Sequence, residues 1–150
     1  EDQITAIIAA SQDAGLVEIA NDNAAGQIVV SGKTKAVEAA MEIARDKGLR
    51  RVISLPVSAP FHCSLMKPAA NIMSEKINKT NFQNPQFEIV NNVTAKGETR
   101  SDKIKSLLID QIFSTVKWRE SIIKMSNNNI NNFIKILFSI CTFEYLICSL

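Results

Sequence analysis

One histidine, His62, is the whole imidazole content of this 150-residue chain, and Cys63, Cys141 and Cys148 are its only thiols. The cysteines are odd in number, form no Cys-x-x-Cys pair and have no zinc-type spacing with the histidine. Neither a disulfide framework nor a metal site is therefore expected, and a reducing cytoplasm is the reading. A basic stripe is also lacking: 17 Lys and Arg against 15 Asp and Glu leave a net charge of +2, spread along the chain, which argues against a nucleic-acid partner. The start, Glu1-Asp2-Gln3-Ile4, has no initiating Met, basic segment or apolar core, so nothing directs export and it reads as a cut inside a longer protein. A membrane anchor would need ~20 apolar residues; Lys135 and Glu144 interrupt the apolar run after Phe133, which argues against one. No internal repeat is visible. What is present is 46% hydrophobic and 21% charged, the balance of a core-forming protein.

Apolar spacing predicts a helix over residues 2–14, stopped by Gly15, and a second over 34–47 carrying Val37, Ala40, Met41 and Ala44 on one face, with Gly48 as its cap. Between them, residues 16–20 and 27–31 are β-prone, separated by the turn-rich Asn21-Asp22-Asn23-Ala24-Ala25-Gly26. Residues 50–57 return to strand. The order helix, strand, strand, helix, strand is that of a βαββαβ ferredoxin-like unit without its first strand. Beyond it, helices are expected over 65–80, 102–113 and 116–126, with a strand over 87–93, an alternation that points to an α/β sheet. Pro68 is tolerable in the first turn of its helix. Three units follow: 1–57 as the small subdomain, 58–134 as part of a larger α/β domain, and 135–150 as an apolar tail.

His62 stands in "SAPFHCSLMKPAA", residues 58–70, at the end of an expected strand and before a helix. Pro60 biases Ala59 away from helix, and strand ends are where α/β sheets hold ligands. Histidines titrate near neutral pH and serve as general acids and bases, though a structural role for a lone one stays open. Cys63 reads as an inert buried thiol, and Ser64 as the cap of the following helix.

The stretch "VSAPFHCSLMKPAA" closely resembles the histidine motif of the malonyl-CoA:acyl carrier protein transacylases, and "NDNAAGQIVVSG" resembles the family's Asn-x-Asn-x-x-Gly-Gln-x-Val-x-x-Gly segment. "QFEIVNNVTAK" and "QIFSTVKWRESIIKM" resemble two further family segments in register, with Thr115 where proline is usual. The resemblance covers about residues 1–134 and implies a ferredoxin-like subdomain followed by the C-terminal part of an α/β-hydrolase-like acyltransferase domain. It implies transfer of malonyl from coenzyme A to the phosphopantetheine thiol of acyl carrier protein, with malonyl-CoA and acyl carrier protein as substrate and partner and no cofactor beyond the thioester. His62 matches the family's base, and Phe61 the position that excludes branched acyl groups. Asn21 and Asn23 match the loop lining the acyl channel, although as residue types they are turn formers. The carbonyl that orients the histidine maps onto Asn128, with Asn91 and Asn92 as nearby support.

No Gly-x-Ser-x-Gly occurs in the chain, so the nucleophilic serine of such an elbow is absent and a separate N-terminal half is the implied source. The resemblance places the malonyl-binding arginine upstream as well, and Arg45, Arg50, Arg51, Arg100 and Arg119 read as solvated surface charges. The pattern ends after Ile134, and the turn to Ile, Phe, Cys and Leu is what a change of reading frame would produce. A non-catalytic interaction module with a vestigial site stays open alongside the transferase reading.

Overall fold

The computed structural model describes residues 2–134; the apolar tail at 135–150, with Cys141 and Cys148, lies outside the described residues. Helix α1 (Asp2–Ser11) and one 3-10 turn end at Gly15, whose φ of 132° suits glycine and whose N–H donates to the Gln12 carbonyl. The hairpin β1 (Val17–Ala24) and β2 (Gln27–Gly32) follows, then α2 (Thr34–Asp46). Alanines 36, 40 and 44 recur at four-residue intervals along α2 and let α1 approach closely. Ile7, Ala40 and Ala44 are the buried centre, flanked by Ile4, Ile43, Leu49 and Val52.

The hairpin is longer than its residue types suggest. β1 runs on through Asn21, Asp22 and Asn23, and the reversal shrinks to Ala25-Gly26, with Gly26 at φ 78°. Register slips between Ile19 and Asn21 and between Asp22 and Ala24 absorb the extra residues as bulges. Its open end is pinned by close approach: a Cβ on Gly32 would collide with the Leu16 carbonyl oxygen.

Residues 50–57, expected as a strand, join no sheet among the described residues. An extended apolar segment becomes a strand only beside a partner, and the β1–β2 sheet does not reach it. The strand expected over 87–93 shortens to β3 (Ile89–Val90), paired antiparallel with β4 (Gly97–Glu98). Asn91 ends it: its Oδ1 accepts the Thr94 N–H at 2.9 Å and its Nδ2 donates to the Lys96 carbonyl at 2.7 Å, building a tight turn. The helices α3 (Lys67–Lys79), α4 (Ser101–Asp110) and α5 (Trp118–Asn127) complete a mixed α/β fold. Among the described residues no helix is long and apolar enough to cross a membrane.

β1 is tied to the segment entering α5. Val116 N–H donates to the Ala20 carbonyl at 2.8 Å and accepts, through its carbonyl, the Asp22 N–H at 2.9 Å. Thr115, in place of proline, donates its hydroxyl to the Ile19 carbonyl at 2.6 Å. Arg119 is not a solvated surface charge: its guanidinium grips the Asp22 carboxylate with contacts of 2.7 and 3.0 Å. Arg100 likewise pairs with Glu98 at 3.0 Å. That pair is exposed, and its hydrogen bonds hold the Glu98 carboxyl down to about 2.

Candidate active site

The chain leaves residues 50–57 and reverses over Phe61, His62 and Cys63. The Phe61 N–H donates to the Ala59 carbonyl at 2.9 Å, and the Cys63 thiol to the Pro60 carbonyl at 3.1 Å. Cys63 is 1% exposed and serves to close this turn. His62 occupies the left-handed region at φ 57°, a conformation that costs a residue with a Cβ of order 1–3 kcal/mol and persists only where the surroundings enforce it.

Two partners enforce it. On the amino side of α3, the Glu18 carboxylate of β1 accepts the Ser64 N–H at 2.6 Å and the Ser64 hydroxyl at 3.0 Å. Ser64 is thus capped by Glu18 and does not itself cap the helix. Replacing Glu18 with alanine is expected to cost about 1–2 kcal/mol in chemical denaturation, the size of a lost helix cap, and to speed exchange of the Ser64 amide. Unchanged stability together with unchanged exchange would remove the clamp.

The second partner is the ring itself. His62 Nδ1 stands 2.9 Å from the backbone carbonyl of Gln111. A carbonyl can only accept, so Nδ1 carries the proton and Nε2 keeps its lone pair. The orienting carbonyl is therefore that of Gln111, and Asn128 is corrected from this role: it is an exposed residue ending α5, with its N–H on the Lys124 and Met125 carbonyls. The reason is that the last carbonyls of a helix lack intrahelical donors. Gln111 terminates α4 facing the histidine turn, while Asn128 terminates a different helix.

Asn92 supports that arrangement. Its Nδ2 lies 3.5 Å from the Gln111 Oε1, a long contact, and its carbonyl accepts the Lys117 N–H at 2.9 Å. Asn91 instead spends its side chain on the 91–96 turn, bonding Thr94 and Lys96. Asn21, 7% exposed, lines one cavity of about 420 Å³ with Phe61 and His62. Asn23 is half-buried in β1 and does not line it. Reading the sequence missed Gln111, Glu18 and the Asp22–Arg119 pair; for Gln111 the signal was its place at the end of an amphipathic helix.

No protein-family model matches the chain. It is 40% identical over 126 residues to the malonyl CoA-acyl carrier protein transacylase of Bacillus subtilis, a match covering 84% of this chain and 40% of that protein. It is 38% identical over 117 residues to the Escherichia coli protein of the same name, covering 78% of this chain and 38% of the other. Among solved structures, the acyl-carrier-protein S-malonyltransferase of Bartonella henselae superposes with a TM-score of 0.84 at 44% identity, over 87% of this chain and 42% of that one. A type II PKS acyl-carrier protein in complex with its malonyl-transacylase gives 0.83 at 32% identity, over 87% of this chain and 42% of that one. The chain thus spans about two-fifths of the length of the relatives it matches. Over that span its sequence and its fold agree with theirs, so the chain corresponds to a part of the malonyl CoA-acyl carrier protein transacylases it matches.

Proposed function

We propose that this chain supplies the histidine half of a malonyl-CoA:acyl carrier protein transacylase. The single observation that carries the reading is the His62 Nδ1 contact to the Gln111 carbonyl at 2.9 Å, which leaves Nε2 as the basic nitrogen, in a chain 40% identical to a named transacylase over 126 residues. In the proposed reaction Nε2 takes the proton of a serine hydroxyl as that oxygen bonds the malonyl thioester carbon. The same proton then goes to the departing coenzyme A thiolate. In the second half the phosphopantetheine thiol of acyl carrier protein gives its proton to Nε2 and takes the acyl group, and the serine oxygen recovers the proton. The serine comes from a segment outside these 150 residues, since no Gly-x-Ser-x-Gly is among them. No resident cofactor is required, and the setting is the cytoplasm.

In this reading Phe61 crowds the space of an α-methyl group and Asn21 contacts the acyl-pantetheine arm, both lining the cavity with His62. Residues 1–57 form the ferredoxin-like subdomain and 58–134 the C-terminal part of the α/β-hydrolase-like domain. Support for the first is the order α1, β1, β2, α2 and the extended segment after it.

The test is a chimaera that joins the Bacillus subtilis relative, up to the start of its match, to this chain. It is expected to load malonyl from malonyl-CoA onto holo acyl carrier protein, while the chain alone loads none. A folded chimaera that transfers nothing would overturn the reading in favour of a non-catalytic module.

A further inference from the structure

The turn that follows α4 carries the carbonyl that orients His62, and α4 itself holds that turn loosely. Ile112 N–H reaches the Ile109 carbonyl and Phe113 N–H the Asp110 carbonyl, both at 3.2 Å, the long end of the hydrogen-bond range. Just beyond, β1 claims the chain, through the Thr115 hydroxyl on the Ile19 carbonyl and the Val116 N–H on that of Ala20. On the side of α3 the turn meets two polar side chains. His62 Nδ1 meets the Gln111 carbonyl, and the Lys67 ammonium lies 5.7 Å from the centroid of the Phe113 ring.

Lys67 is the first residue of α3, an end of the helix that favours acidic side chains; none stands in that first turn. The Lys67 side chain is exposed and, among the described residues, makes neither an ion pair nor a hydrogen bond. What it does meet is the face of the half-buried Phe113 ring, whose negative quadrupole attracts a cation.

We propose that Lys67 is a positioning residue for His62: seated on Phe113, its ammonium fixes the tilt of the turn and with it the direction of the Gln111 carbonyl. Carbonyl oxygens accept hydrogen bonds over a broad range of angles, so the His62 contact alone sets a distance and leaves the peptide free to swing about it. A second attachment, at Phe113, removes that freedom. The neutral ring then keeps its proton on Nδ1 and its lone pair on Nε2. Where the carbonyl swings away, the tautomer protonated on Nε2 gains population, and that nitrogen can take no proton from a serine. Lys67 touches no reacting atom. The inference rests on His62 as the base proposed above, but its main readout needs no acyl transfer.

The test compares the full chain with Lys67→Met, Lys67→Arg, Phe113→Leu and the double variant Lys67→Met/Phe113→Leu. The His62 tautomer ratio is read from the ring nitrogen-15 shifts at a pH where the ring is neutral. Methionine keeps the apolar stem and removes the charge. Lys67→Met is expected to raise the ratio of the Nε2–H to the Nδ1–H tautomer about 2–5-fold, the size of an exposed cation–ring contact. Lys67→Arg should keep the parent ratio, because a guanidinium also stacks on a ring, and the double variant should go no further than Phe113→Leu alone. A parent-like ratio in folded Lys67→Met, a Lys67→Arg that behaves as Lys67→Met, or additive effects would overturn the inference. In the Bacillus subtilis chimaera, Lys67→Met should leave KM for malonyl-CoA unchanged; a raised KM would also overturn the inference, by giving the cation to the substrate. A folded chimaera that transfers nothing overturns the function proposed above, and the tautomer ratio then decides the role of Lys67 by itself.

Discussion

In the Bacillus subtilis chimaera, His62→Ala is expected to lower malonyl transfer about 10²–10⁴-fold, the range set by loss of a general acid–base. The reaction needs a base at the serine and an acid at the departing thiolate, and one imidazole held by Gln111 performs both. With Nδ1 on that carbonyl the ring cannot present its protonated nitrogen to the serine, and the same hydrogen bond persists when Nε2 is protonated. His62→Gly makes a second comparison. Both variants lack the ring, but only glycine is at ease at φ 57°, so His62→Gly is expected to be more stable than His62→Ala by about 1 kcal/mol in urea denaturation. A transfer rate within tenfold of the parent in either variant would remove His62 from the chemistry. Equal stability of the two would remove the strain.

That strain marks where reading along the chain succeeds and where it stops. Pro60 and the apolar spacing of 65–80 are local, and they place His62 in a loop before a helix, as the structure has it. Gly15 and Gly48 end their helices for an equally local reason, a positive φ that a Cβ resists. By contrast, Asn21, Asp22 and Asn23 have turn propensities and yet extend β1, and Val116 and Arg119, more than ninety residues away, supply bonds that hold Ala20 and Asp22 in it. Residues 50–57 show the converse: a strand pattern with no strand beside it joins no sheet among the described residues. The orienting carbonyl belongs to neither pattern. Every residue has a backbone carbonyl, so only the packing of α4 against the histidine turn selects that of Gln111 over that of Asn128.

The same distant bonds set the largest stability effect. Asp22→Ala is expected to destabilise the fold by about 2–4 kcal/mol, seen as a lower urea midpoint with unchanged slope. Asp22 keeps 11% of its side-chain exposure and Arg119 35%, so the partly solvated guanidinium recovers some hydration and the loss falls at or below the ~3–5 kcal/mol of a fully buried pair. Removing both partners should cost less than the sum of the single changes by about 1–2 kcal/mol, because Asp22→Ala leaves a cation behind and the double variant does not. The consequence reaches His62. Asp22 N–H and the Ala20 carbonyl hold Val116, and Val116 lies five residues beyond Gln111, whose carbonyl fixes the imidazole. Asp22→Ala should therefore also broaden or shift the His62 ring resonances in NMR spectra, whereas Glu98→Ala, which breaks an exposed pair, should leave them unchanged. Identical His62 resonances in a folded Asp22→Ala chain would show that the Asp22–Arg119 pair and the orienting carbonyl are independent, and would leave the Glu18 clamp as the link from the hairpin to the base.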